Sequence, residues 1–244
     1  LQDGGFPSAA HFQLQASGTY LADYPPLTFA LIDLETYHNA YMGKRHLREE
    51  LETQIPDAHP FLYKGDIFLF LHREGDADTL STLAKEFQLK ILVSEPLDEL
   101  FDLPGLYRTA REALELMTDE RFHGEPVCSV AQLRTPLLLK NLEGRGGLIS
   151  IELRRLAAHD REKNTQYCDT LYYYLICCRS LKKTCDALYT HRNTVLYRVR
   201  RLQEDFAIPL EEPSQHADLL LGVSLILFEI KGPDFFLHTQ KNEA

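Results

Sequence analysis

The sequence predicts an α+β fold: an N-terminal ferredoxin-like αβ sandwich followed by an all-α helix-turn-helix domain. Three observations carry this. Residues 27–118 alternate short apolar runs with amphipathic stretches in the order β-α-β-β-α-β-α, the split βαβ arrangement of a sheet with helices on one face. Residues 119–147 are punctuated by Gly124, Pro126, Pro136, Gly144, Gly146 and Gly147, the composition of a connector. Beyond them the apolar residues recur at helical spacing, and residues 179–205 form two short periodic runs separated by Tyr189 and Thr190. The expected division is a tail or linker at 1–20, a sheet domain at 21–120, a connector at 121–147, a helical domain at 148–232 and a loose tail at 233–244.

In chain order, residues 27–33 (Leu-Thr-Phe-Ala-Leu-Ile-Asp) read as a buried strand. Residues 36–54 read as a polar helix with Tyr37, Tyr41, Leu47 and Leu51 inward. Two strand-like runs within 60–72 flank Gly65-Asp66 and read as a β-hairpin. Residues 77–88 are helical, residues 89–94 (Leu-Lys-Ile-Leu-Val-Ser) are a strand, and 104–118 form a helix with Leu106, Ala110, Ala113, Leu114 and Met117 inward. A short helix is expected at 130–141, another at 149–160, and a third at 166–177 with the stripe Tyr167, Leu171, Tyr174, Leu175 and Cys178. The run Tyr172-Tyr173-Tyr174 invites a base-stacking reading. Adjacent helical residues point in different directions, however, so core packing is the stronger reading.

The basic helix pair organises the function. Val195, Val199 and Leu202 form the inward stripe of the second helix, 191–205, while Asn193, Tyr197, Arg200 and Arg201 fall outward, with Arg192 and Arg198 at the seams. Thr190 is expected to cap this helix and Ser180 the preceding one, whose buried side is Leu181, Cys185 and Leu188. Residues 179–201 hold seven Lys/Arg against one Asp, a balance of +6, whereas the other nineteen basic and thirty-five acidic residues leave −16 elsewhere. An acidic chain that gathers positive charge on one helix pair is suited to binding phosphate in one place.

The residues here resemble a known family. Thr184-Cys185-x-Ala187-Leu188 followed by His191-Arg192-Asn193-Thr194-Val195-x-Tyr197-Arg198 resembles the C-terminal helix-turn-helix of PucR-type (CdaR-like) bacterial transcriptional regulators. Cys185 stands where that family has Ala, and Thr190 where an aliphatic residue is usual. In the first domain, Asp33 and Lys64-Gly65-Asp66-Ile67-Phe68 resemble a worn GGDEF diguanylate cyclase domain. Val93-Ser94-Glu95-Pro96 followed by Leu103-x-x-Leu106-Tyr107-x-x-Ala110-x-x-Ala113-Leu114 is similar to the GGDEF-like domain that precedes the helix-turn-helix in PucR-type regulators.

The resemblance implies a sequence-specific regulator that binds double-stranded DNA as a homodimer under control of an unidentified small-molecule effector. The expected DNA-binding residues are His191, Arg192, Asn193, Thr194, Tyr197, Arg198 and Arg201, with Lys182 and Lys183. By group chemistry, Asn193 suits adenine, the arginines suit guanine or phosphate, and the two lysines and the helix N-terminus suit backbone phosphates. No catalytic residue, cofactor or metal is expected. Lys64 replaces a cyclase glycine and Ile67 the motif's glutamate, so the hairpin lacks both the close backbone approach and a carboxylate for Mg²⁺. The alternative is a nucleotide-binding sensor or residual cyclase-like enzyme, with Asp33 and Asp66 as cation ligands. A third reading is an interaction module built on the last helix.

That last helix, 215–230, is apolar on most sides but interrupted by Asp218 and Glu229 and too short for a membrane span. It reads as buried in its own domain or between subunits. The first residue is Leu, which reads as a fragment or trimmed chain, and residues 1–20 lack the basic start and apolar run of a signal peptide. Cytoplasmic localisation is the expectation. Cys128, Cys168, Cys177, Cys178 and Cys185 include no zinc spacing and read as reduced, mostly buried thiols.

Overall fold

The structure, a computed structural model, describes residues 27–37, 43–73 and 75–240, together with positions 14 and 17. Two compact units divide it, Leu1–Leu137 and Leu138–Ala244.

The first unit is built on a five-stranded sheet in the order β2-β3-β1-β4-β5. Its elements are β1 (Thr28–Ile32), α1 (Lys44–Gln54), β2 (Phe61–Tyr63), β3 (Asp66–Leu71), α2 (Asp76–Phe87), β4 (Ile91–Val93), α3 (Leu103–Thr118) and β5 (Val127–Ser129), followed by α4 (Val130–Leu142). β1 pairs antiparallel with β3 and β4, and β2 with β3, which is the split βαβ pairing the sequence predicts.

The alternation of side chains explains its layers. Ala30, Ile32, Ile67, Leu69 and Leu71 share a core with Leu47 and Leu51 of α1 and Leu80, Leu83 and Ala84 of α2. Phe29, Phe68 and Phe70 face the other way, and Phe68 lies 6.4 Å from the Tyr107 ring of α3. Every residue of β3 is buried. The expectation of helices on one face is thereby corrected: α3 covers the second face, because the odd positions of β1 and β3 are as apolar as the even ones.

Two further differences have local causes. β5 lies inside the expected connector and pairs parallel with β4, Leu92 opposite Cys128. The helix expected over 36–54 begins at Lys44. Before it, Asp33 bends the chain: its carboxylate accepts the Glu35 N–H (3.2 Å), the Thr36 N–H (2.9 Å) and the Thr36 hydroxyl. Tyr37 is buried outside any helix, and Leu106 is only half-buried because Tyr107 takes the inward place. Tyr41 and, apart from positions 14 and 17, the tail expected at 1–20 lie outside the described residues.

The second unit is helical: α5 (Ile151–Lys163), α6 (Tyr167–Ile176), α7 (Leu181–Leu188), α8 (Arg192–Glu204), α9 (His216–Lys231) and α10 (Asp234–Gln240). Ser150 caps α5 by accepting the Leu153 N–H. α9 crosses α5 at Gly222, where a Cβ would meet Leu153 Cδ1 at 2.6 Å. A glycine is therefore needed for this close approach. α9 is buried over Gly222–Phe228, as its apolar composition predicts. α10 replaces the loose tail expected at 233–244: Phe236 is buried, and its ring contacts Tyr172 (5.6 Å) and Phe228 (6.3 Å). Residues 241–244 lie outside the described residues. Among the described residues no helix is long and apolar enough to cross a membrane, and no disulfide joins any of the five cysteines.

Candidate nucleic-acid interface

The helix pair is held from behind by α6. Asp160, near the end of α5, takes the first free N–H groups of α6: Oδ1 accepts from Tyr167 N (2.9 Å) and Oδ2 from Cys168 N (2.7 Å). The Thr165 hydroxyl donates to the same carboxylate at 2.5 Å. Burial, then the neighbouring Asp160, pushes the Cys168 thiol up, so it is an inert core group. Tyr172 is buried among aromatic rings, while Tyr173 and Tyr174 are half-buried. The tyrosine run is thus largely packing. Cys178, expected inward, is exposed, because α6 ends at Ile176 and Cys178 and Arg179 turn the chain at φ +51° and +62°.

α7 begins as expected. The Ser180 Oγ accepts the Lys183 N–H (3.4 Å), and Thr184 donates back to the Ser180 carbonyl at 2.8 Å. Thr184 is the buried residue of this helix. Leu181, Cys185 and Leu188, expected to be its buried side, are half-buried, since an eight-residue helix lying over α6 and α8 rolls its small polar side chain into the seam.

The turn that follows is closed by Tyr189 at φ +50°, with the Thr190 N–H donating to the Cys185 carbonyl at 3.0 Å. Thr190 does not cap α8. Its hydroxyl donates to the Leu188 carbonyl (2.9 Å), and the cap is His191, whose Nδ1 accepts the Asn193 N–H at 3.3 Å. The reason is position: α8 starts at Arg192, so the residue with extended backbone just before it is His191.

α8 buries Val195, Val199 and Leu202, as its periodicity predicts. Its C-terminal end is tied down by the Phe206 ring, 5.2 Å from His159 and 5.7 Å from Tyr167. His191, Arg192, Asn193, Thr194, Tyr197 and Arg200 are exposed along its other side.

The seven cations of the helix pair fall into two groups. Arg198 is half-buried and donates to the Thr170 hydroxyl and to the Gln166 side-chain carbonyl of α6, both at 3.3 Å. Arg201 pairs with Asp205 at 2.5 Å and lies 5.9 Å from the Tyr197 ring. Arg179 donates to the Leu210 carbonyl at 2.9 Å and pairs with Glu211. By contrast, no hydrogen bond or ion pair with a described residue engages the side chains of Lys182, Lys183, Arg192 or Arg200, and all four are exposed. Arg200 was not among the expected site residues. Its outward place on the helix wheel was the signal that marks it. The wheel sets Arg198 at the seam and Arg200 outward, but it could not show that Arg198 is engaged, because its partners lie 28 and 32 residues away in the chain.

The two carboxylates of the hairpin unit behave differently. Asp33 is engaged by the backbone of its own turn, and Asp66 is fully buried with Arg111 Nε at 3.3 Å. Burial raises the Asp66 carboxyl to about 6, Arg111 opposes the rise, and the neighbouring carboxylates of Asp33, Glu35 and Glu115 add to it. Lys64, at φ +49° beside Gly65 at +98°, lays its ammonium over the rings of Tyr63 (5.2 Å) and Tyr107 (5.9 Å). Among the described residues no group of three or more metal-ligating side chains is assembled.

Residues 167–225, from the start of α6 into α9, match the PucR C-terminal helix-turn-helix domain family. The chain is 24% identical over 201 residues to the proline-responsive transcriptional activator PutR of Bacillus subtilis, an alignment covering 75% of this chain and 49% of that protein. The chain thus spans about half the length of this curated relative. A solved structure, the regulator of polyketide synthase expression from Bifidobacterium adolescentis, aligns with a TM-score of 0.39 and 15% identity over 91% of this chain and 90% of that one. The match to the PucR C-terminal helix-turn-helix family falls on the segment whose geometry is set out above.

Proposed function

We propose that this chain is a DNA-binding transcriptional regulator of the PucR/CdaR type, and that α7 and α8 are its contact with double-stranded DNA. The observation that carries the reading is the division of the cations: the side chains of Lys182, Lys183, Arg192 and Arg200 stand exposed, without a partner among the described residues, on the two helices of the matched motif. In an otherwise acidic chain, such cations gain most by displacing counterions from phosphate. The exposed N-terminus of α8, with His191, Arg192, Asn193 and Thr194, is the part that enters the major groove in this motif. Asn193 there suits adenine and Arg192 suits guanine. Two copies reading two half-sites make the working unit a homodimer. The sheet unit serves effector sensing or dimerisation, and the protein acts in the cytoplasm.

The test is a salt titration of binding to random duplex DNA. Each phosphate contact contributes about 0.9 to the slope of log K against log salt. Arg192→Ala and Arg200→Ala should each make the slope shallower by about one unit, with the fold intact. Unchanged slopes for both, or no binding by the wild type even at low salt, would refute the assignment.

A further inference from the structure

Asp160 stands in the last turn of α5, yet its carboxylate serves the next helix. It accepts the Tyr167 N–H (2.9 Å), the Cys168 N–H (2.7 Å) and the Thr165 hydroxyl (2.5 Å). The residue placed to cap α6 is Gln166, and its side chain makes no cap hydrogen bond. Glutamine is outside the set of good capping side chains, and an uncapped first turn leaves N–H groups that need another acceptor. Asp160 is that acceptor, with its negative charge at the positive end of the helix.

A cap lent from α5 leaves the Gln166 side chain for another task. Its Oε1 accepts from Arg198 Nη2 at 3.3 Å, and Thr170 Oγ1, one turn further along α6, accepts from Arg198 Nη1 at 3.3 Å. The Thr170 hydroxyl donates to the Gln166 carbonyl at 2.7 Å, which leaves its lone pairs for the guanidinium. Gln166 itself is fixed from both sides, because its chain neighbours Thr165 and Tyr167 are both bonded to Asp160. One carboxylate thus holds the backbone that carries both acceptors of Arg198. Thr165 has a second tie. Its hydroxyl hydrogen goes to Asp160, so His159 Nδ1, 3.1 Å away, is the donor to it. The His159 ring in turn rests edge-on against Phe206, just past α8.

We propose that Asp160 is a positioning residue for the recognition helix: it acts through Gln166 and Thr170 on Arg198, and so sets how the Arg192–Asn193 end of α8 meets base edges. The proposal rests on the DNA-binding reading and deepens it, since it assigns a residue outside the helix pair to sequence readout. Attraction to phosphate does not depend on Asp160. Lys182, Lys183, Arg192 and Arg200 are exposed and stay at the surface when α8 tilts. Base readout needs donors and acceptors in register with the base edges, so it is the part that a tilt removes.

The test compares the wild type with Asp160→Asn, Gln166→Ala, Arg198→Ala and the double variant Asp160→Asn/Arg198→Ala, each at a temperature where its melt shows it folded. The probes are a duplex that the wild type selects from a random pool and a random duplex of equal length. We expect the ratio of the two affinities to fall about tenfold in each single variant, with binding to random duplex and its salt slope unchanged. The double variant should lose no more than the worse of its two singles, because both act through one contact. An unchanged ratio in Asp160→Asn or Gln166→Ala, equal losses on both duplexes, or additive losses in the double variant overturn the proposal. Should Asp160→Asn fail to fold, Thr165→Val takes its place under the same criteria, because it removes one donor to the carboxylate and the tie to His159. Magnetic resonance of the DNA-free chain, labelled on arginine nitrogen, keeps the two readings separate. Arg198→Ala identifies the Arg198 guanidinium signal, which Asp160→Asn and Gln166→Ala should both shift. A wild type that selects no duplex fails the DNA reading, whereas an Arg198 signal indifferent to Asp160→Asn fails the positioning role.

Discussion

The hairpin of the first unit and the helix pair of the second both resemble a functional motif, but they treat their polar atoms in opposite ways. At the hairpin the chain turns charge inward: Asp33 is held by backbone N–H groups and Lys64 by two tyrosine rings, while Asp66 is buried against the charge of Arg111, its oxygens accepting no hydrogen bond from a described residue. At the helix pair the side chains of Lys182, Lys183, Arg192 and Arg200 face solvent without partners among the described residues. A motif keeps its binding chemistry only where its polar groups are not already satisfied within the chain. The same test divides the helix pair itself, where Arg179, Arg198 and Arg201 are braces and the other four cations are available.

The strongest way to break this comparison is to remove the support under the available cations. Leu202 is fully buried beneath α8, and Leu202→Ala should cost about 2–5 kcal/mol. Chemical denaturation should show that loss, with DNA binding falling because α8 is no longer held. Full stability in this variant would mean the inward stripe does not position the helix.

Next in size is the buried carboxylate. In the folded chain burial raises the Asp66 carboxyl to about 6 from its ordinary 3.8. The folded chain therefore binds more protons than the unfolded one between those values, and this group's contribution to stability declines as pH rises through that window. The decline is at most about 3 kcal/mol, at 1.36 kcal/mol per pKa unit. Asp66→Asn should flatten the stability profile between about pH 4 and 6 and leave the salt slope of DNA binding unchanged. An unchanged pH profile would show that the hairpin carboxylate is hydrated.

Much of this was legible in the sequence, and what was hidden shares a cause. β1, β3 and β4 announce themselves as apolar runs, and Val195, Val199 and Leu202 as a helical stripe, because those signals are local. β5 is three residues long, and its strand character comes only from pairing with β4. α10 is seven residues long and is fixed by Phe236 against Tyr172 and Phe228. Covering of the second sheet face by α3 is likewise a tertiary fact. In the site, exposure could be read from the wheel but occupancy could not. Arg198 and Arg200 are two residues apart, and only the return of α6 beneath α8 makes one a brace.

That pair sharpens the comparison at smaller scale. Arg198→Ala removes two hydrogen bonds from a charged donor to α6 and leaves the buried Thr170 hydroxyl without that partner, a loss of about 1.5–3 kcal/mol. Stability should fall and the salt slope should not. Arg200→Ala should do the reverse, with a slope shallower by about one unit and stability within about 0.5 kcal/mol of the wild type. Matching effects in the two variants would erase the distinction between brace and contact.

The smallest effects concern the helix caps, where sequence and structure agree on one and differ on the other. Ser180→Ala deletes the acceptor for the Lys183 N–H and the start of α7, so it should cost about 1 kcal/mol. Thr190→Val keeps the shape of a residue whose hydroxyl donates only to the Leu188 carbonyl, outside α8. It should change stability by no more than about 0.5 kcal/mol. The two variants melt the same helix pair from neighbouring turns, so thermal denaturation under one buffer compares them directly. A Thr190 change as costly as the Ser180 change would return the cap to Thr190 and shift the start of α8 back by one residue.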